Sequence, residues 1–157
     1  MTTPPPTTPS VSDEQIIRML TRITFAFCGA LVVILALGVF VLVPDGSVRA
    51  RGMIIGVALG LVSWFGSRWI TGFQLSRIAR TGTTEPAGAI GTVAFTGVAI
   101  AEFPALLGLV FAISDGVDIG PLVVAVPIAI AAIVLNASGP GAVRRHLDRL
   151  RAAAPAQ

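Results

Sequence analysis

The feature that most constrains this chain is Ile23–Val43, "ITFAFCGALVVILALGVFVLV", 21 residues without a charge. About 20 apolar residues cross the hydrocarbon core of a bilayer as a helix. Lipid offers no hydrogen bonds, so a spanning segment must satisfy its own backbone, as a helix does. The run is too long for the apolar core of a signal peptide, and no A-x-A site follows it, so a retained first span is expected. The turn residues "PDGS" close it.

Three further runs share this character. Gly52–Ile70 ends among Trp64, Phe65, Arg68 and Trp69, residues typical of a membrane–water boundary. A polar connection is expected over Thr71–Pro86. The third run is 87–113 and the fourth 119–137, with Pro121 near its start and Pro127 inside. The expected architecture is all-α: a four-span membrane domain over 12–138, with spans near 23–43, 52–70, 87–113 and 119–137. Residues 1–11, "MTTPPPTTPSV", have the composition of a disordered tail. Ser12 with Gln15 reads as a capping box that opens the first helix. Residues 139–157 read as a basic amphipathic tail, with Val143, Leu147 and Leu150 on one face. Arg144, Arg145, Arg149 and Arg151 are then expected to meet anionic lipid.

Composition agrees. Hydrophobic residues make up 54% of the chain and charged ones 12%, half the charge of an average soluble domain. All 11 cations are arginine, which points to a GC-rich bacterial genome. The net charge of +3 comes from arginines at the ends of apolar runs, a pattern that argues against a nucleic-acid surface. Four spans put both termini on one side. That side carries nine arginines and the other only Arg49 and Arg51. The positive-inside rule therefore places both termini in the cytoplasm of a bacterial inner membrane.

Within this frame Glu102 stands out. It lies in "GVAIAEFPALLG", with nothing else charged within ten residues. Counted from Ala87 it is about 22 Å along the third helix, close to the bilayer midplane. An ionised carboxylate there costs a few kcal/mol or more. The expected state is a carboxyl that holds a proton, faces protein and finds a polar partner. Ser63 is the candidate partner, because antiparallel packing brings the second span's midpoint to the same depth. Pro104 removes the N–H that would serve the carbonyl of Ile100, so the helix is expected to weaken there. Glycines at 52, 56 and 60 form a strip on one helix face, where another helix can approach closely.

Other chemistry finds no support. The single cysteine, Cys28, lies in an apolar stretch and the single histidine, His146, among arginines, so no metal site is expected. Asp115 and Asp118 read as turn residues of the third loop. No catalytic triad, HExxH or phosphate loop is present, and neither an enzyme nor a cofactor is expected.

Residues 52–113, and above all Ala79–Ile113, "ARTGTTEPAGAIGTVAFTGVAIAEFPALLGLVFAI", resemble the hairpin of the proteolipid (c) subunit of rotary ATP synthases. Arg80, Glu85 and Pro86 occupy the polar loop, Glu102 the place of the mid-membrane carboxylate, and Gly108–Val110 the "GLV" after it. The resemblance implies that Glu102 carries a proton or sodium ion. The first and fourth spans have no counterpart in the two-helix form of that family. The residues themselves imply a non-enzymatic accessory or assembly subunit, with other membrane subunits or further copies of itself as partners and the lipid bilayer as solvent.

Overall fold

The computed structural model describes residues 13–42, 46–81, 86–115 and 118–153. The Pro/Thr-rich tail, the Ser12 cap and Glu85 lie outside the described residues. Five helices follow in order: α1 (Asp13–Leu37), α2 (Ala50–Thr81), α3 (Pro86–Asp115), α4 (Gly120–Ala132) and α5 (Pro140–Ala153). π-helical turns extend α1 over Gly38–Leu42 and α4 over Ile133–Ala137. The described chain holds four helical stretches long and apolar enough to cross a membrane.

The closest packing is among α2, α3 and α4, and α1 lies on the outside against α3 and α4. Glycine sets the approach of α2 to α4. A Cβ on Gly56 would stand 2.7 Å from that of Val124 and 2.9 Å from the Pro121 carbonyl oxygen. One on Gly60 would stand 2.5 Å from Ile128 Cδ1. Gly52 abuts the carboxylate of Asp118. These three glycines thus face α4 along a parallel crossing, at an approach that larger residues would prevent. Gly97 and Gly108 do the same for α3, against Ala137 and Pro121.

The polar connection expected from Thr71 onward is instead helix as far as Thr81. The reason is a second core. Ile16 and Leu20 of α1, Ile90 and Ala94 of α3, and Val143 and Leu147 of α5 bury one another, and Leu75 of α2 is buried at the same end. The helices therefore continue as a bundle past the most apolar stretches. Thr24 and Ser138 join α1 to the start of α5, with hydroxyl oxygens 2.7 Å apart. Asp13 and Arg151 pair at the other end of this α1–α5 contact. These contacts mark the near end of the bundle, and Ser47 with Asp118 marks its far end.

The amphipathic helix expected in the tail is α5. The apolar face of α5 is spent on protein, with Val143 and Leu147 buried and Leu150 packed against the same cluster. Two of its arginines also have partners within the chain. Arg145 donates to the Leu135 carbonyl oxygen at 2.6 Å, and Arg151 meets Asp13. Arg144 and Arg149 remain exposed.

Candidate functional site

Glu102 lies on the side of α3 that turns toward α1. Phe95, Glu102 and Leu109 are seven residues apart, two helical turns, and so share one side. Phe95 meets Phe27 of α1 edge to face, with ring centroids 6.4 Å apart. Leu109 Cδ1 is 3.3 Å from where a Cβ on Gly38 would stand. Between these contacts Glu102 is half-buried, with Phe103 and Leu106 exposed beside it. Its carboxyl makes no hydrogen bond or ion pair among the described residues.

Ser63 stands at the expected depth but serves a different atom. Its buried hydroxyl donates to the Ala101 carbonyl oxygen at 2.8 Å. The cause is helical rotation. Consecutive residues point about 100° apart, and it is Ala101, fully buried, that faces into the bundle. The accepting carbonyl lies one residue from that of Ile100, which Pro104 leaves without its N–H. Pro104 is buried, and α3 runs unbroken through it. At the next residue of α2, on the side of the fourth span, Asn136 Nδ2 donates to the Trp64 carbonyl oxygen at 3.3 Å from within the π-helical turn.

A second arrangement, at the far end, was not legible as a site. Asp118 is 4% exposed. Its carboxylate accepts the N–H groups of Arg49 at 3.1 Å and Gly120 at 2.9 Å, and that of Gly52 as well. One side chain therefore satisfies orphan donors at the starts of both α2 and α4, where helix dipoles favour negative charge. Burial alone raises its pKa. The three N–H bonds and the Arg49 charge outweigh that and hold the carboxyl below its ordinary value. The Ile119 N–H bond to the Ser47 carbonyl oxygen, 3.1 Å, fastens the two loops beside it. The sequence signal was an aspartate just before "GP" and an apolar run, a helix-start pattern, but nothing local shows that it also reaches a second helix.

Near-end His146 is 5% exposed, and its Nδ1 has no hydrogen-bond partner among the described residues. Burial, then the Arg149 and Arg145 charges, push its pKa down to about 4. Among the described residues no group of three or more His, Cys, Asp or Glu could hold a metal.

No known protein family, curated protein or solved structure matches this chain. The chemistry on offer is thus that of the residues themselves: one half-buried carboxyl on the outer side of a closely packed helix trio, and one buried carboxylate clamping two helix starts.

Proposed function

We propose that this chain is a small multi-pass protein of a bacterial inner membrane, with both termini cytoplasmic, acting as an accessory or assembly subunit of a larger membrane complex. The observation that carries this reading is Glu102. The trio of α2, α3 and α4 provides its buried serines, Ser63 and Ser67, with carbonyl acceptors. Among the described acids, Glu102 alone lies within a long apolar stretch, half-exposed and without a partner. In lipid that arrangement is costly. A hydrogen bond from a neighbouring subunit's helix removes the cost, and such bonds are worth about 1–2 kcal/mol in membranes.

A second reading rests on the same carboxyl and on its partial exposure: Glu102 as carrier of a proton or sodium ion, in the manner of a proteolipid. Two variants separate the readings. Assembly is followed by native electrophoresis from a mild detergent, and proton and sodium flux in vesicles. For the accessory role, Glu102→Leu disrupts the complex, and Glu102→Gln, which can still hydrogen-bond, largely preserves it without a change in flux. For the carrier, Glu102→Gln assembles but abolishes flux, and dicyclohexylcarbodiimide labels Glu102 in the native chain. A Glu102→Leu variant that assembles normally contradicts the accessory reading.

A further inference from the structure

The far end holds a cavity of about 240 Å³ between the first turns of α2, the last turns of α3 and the start of α4. Arg51, Ile55, Phe111, Ser114, Asp118 and Pro121 line it. Glycine contacts hold the three helices together beside it. Gly52 and Gly120 let α2 and α4 touch through their backbones, and Gly108 brings α3 to the Pro121 carbonyl. The lining itself is part polar and part apolar. Arg51 and Ser114 are exposed polar groups, and Phe111 is 46% exposed. Arg51 makes no ion pair among the described residues. Asp118 does not neutralise it in the manner of a free carboxylate, because three backbone N–H groups and Arg49 already engage that charge.

The level of the cavity is also informative. Ser114 ends the third apolar stretch and Gly120 begins the fourth. Exposed Ile54, Val110 and Ile113 lie just below. The cavity therefore opens where an apolar wall gives way to polar groups. This is the height at which a bilayer presents its phosphate groups, whichever leaflet this end meets. A guanidinium grips a phosphate through two parallel N–H bonds, a hydroxyl adds a third donor, and Ile55, Phe111 and Pro121 suit the carbons of the ester.

We propose that this cavity is a phosphate-ester site, with Arg51 binding the anion, Ser114 donating to it, and Phe111 and Ile55 holding its carbon skeleton. The inference needs the chain to span a membrane and is independent of any role for Glu102. The phosphate can belong to a phospholipid headgroup or to a soluble ester, and the test separates the two.

The test is native mass spectrometry of the purified full-length chain, titrated with short-chain phosphatidylglycerol, with the matching diacylglycerol that lacks phosphate, and with glycerol 3-phosphate. The expected result is binding of the phospholipid and none of the diacylglycerol. Arg51→Gln weakens binding by about tenfold or more, the value of a charge-assisted contact. Arg51→Lys, which keeps the charge without the fork, loses less. Arg80→Gln removes an equal charge at the exposed near end of α2, far from the cavity, and leaves binding near the native level. Glycerol 3-phosphate binding as tightly as the phospholipid supports the site and assigns its ligand to soluble esters. Equal binding of diacylglycerol, or equal losses in Arg80→Gln and Arg51→Gln, overturns the proposal.

Discussion

The carboxylate of Asp118 fills the space that a side chain on Gly52 would need. The contact couples two loops distant in sequence and explains why α2 and α4 can start side by side. Gly52→Ala drives a methyl into that carboxylate and is expected to cost about 1–3 kcal/mol, the range for overpacking. Asp118→Ala leaves three N–H groups unpaired and is expected to cost at least about 1–3 kcal/mol. Thermal unfolding in detergent measures both, and Asp118→Asn, which keeps one acceptor oxygen, should fall between Asp118→Ala and the native chain. Because folding lowers the Asp118 pKa, its contribution is complete above the ordinary aspartate value of about 3.9. It is lost as pH falls from there through the lowered value.

The glycine strip predicts an order of effects. A methyl at Gly56 meets the backbone oxygens of Pro121 and Gly120 at 2.9 and 3.0 Å, which cannot move without shifting α4. A methyl at Gly60 meets first the flexible end of Ile128. Gly56→Ala should therefore destabilise more than Gly60→Ala, and Gly60→Leu should separate the helices. Distances between spin labels on α2 and α4 report that separation directly.

Much of the membrane architecture was legible because length and charge are one-dimensional properties. Four apolar runs gave four helices able to span, and the four-residue glycine spacing marked the α2 face that meets α4. Depth was legible too, since counting residues put Ser63 and Glu102 level. Rotation was not: a 100° step decides that Ser63 reaches Ala101 and not Glu102. The helical continuation of α2 to Thr81 was hidden because its apolar contacts come from α1, α3 and α5, remote in sequence. The apolar face of α5 had the right period, but no local property told lipid from protein as its partner. Asp118 read as an ordinary turn residue for the same reason.

Ser63→Ala removes the bond to Ala101 and is expected to cost about 0.5–1.5 kcal/mol. If that bond supports the turn weakened by Pro104, restoring the N–H with Pro104→Ala should reduce the cost. A double-mutant cycle of unfolding free energies checks the coupling. Additive effects would show that the two features act independently.

His146 sets an acid limit on the near-end bundle. Its folded pKa of about 4 lies below the ordinary value of about 6.5, so the unfolded chain binds the extra proton between those values. Stability should therefore hold above pH about 6.5 and fall as pH drops toward 4, by up to about 3 kcal/mol. His146→Phe should flatten that dependence. Hydrogen exchange in α5, measured between pH 7 and 4.5, reads the effect at its source.

The central claim is that the Glu102 side of α3 meets another membrane subunit. A photoreactive phenylalanine analogue at exposed Phe103, compared with one at exposed Val134 in the fourth span, tests it in intact membranes. The expected result is a discrete polypeptide adduct from position 103, weak or absent from position 134, and lost when Glu102→Leu is added. Adducts to lipid alone at position 103, or a polypeptide adduct unchanged by Glu102→Leu, would contradict it.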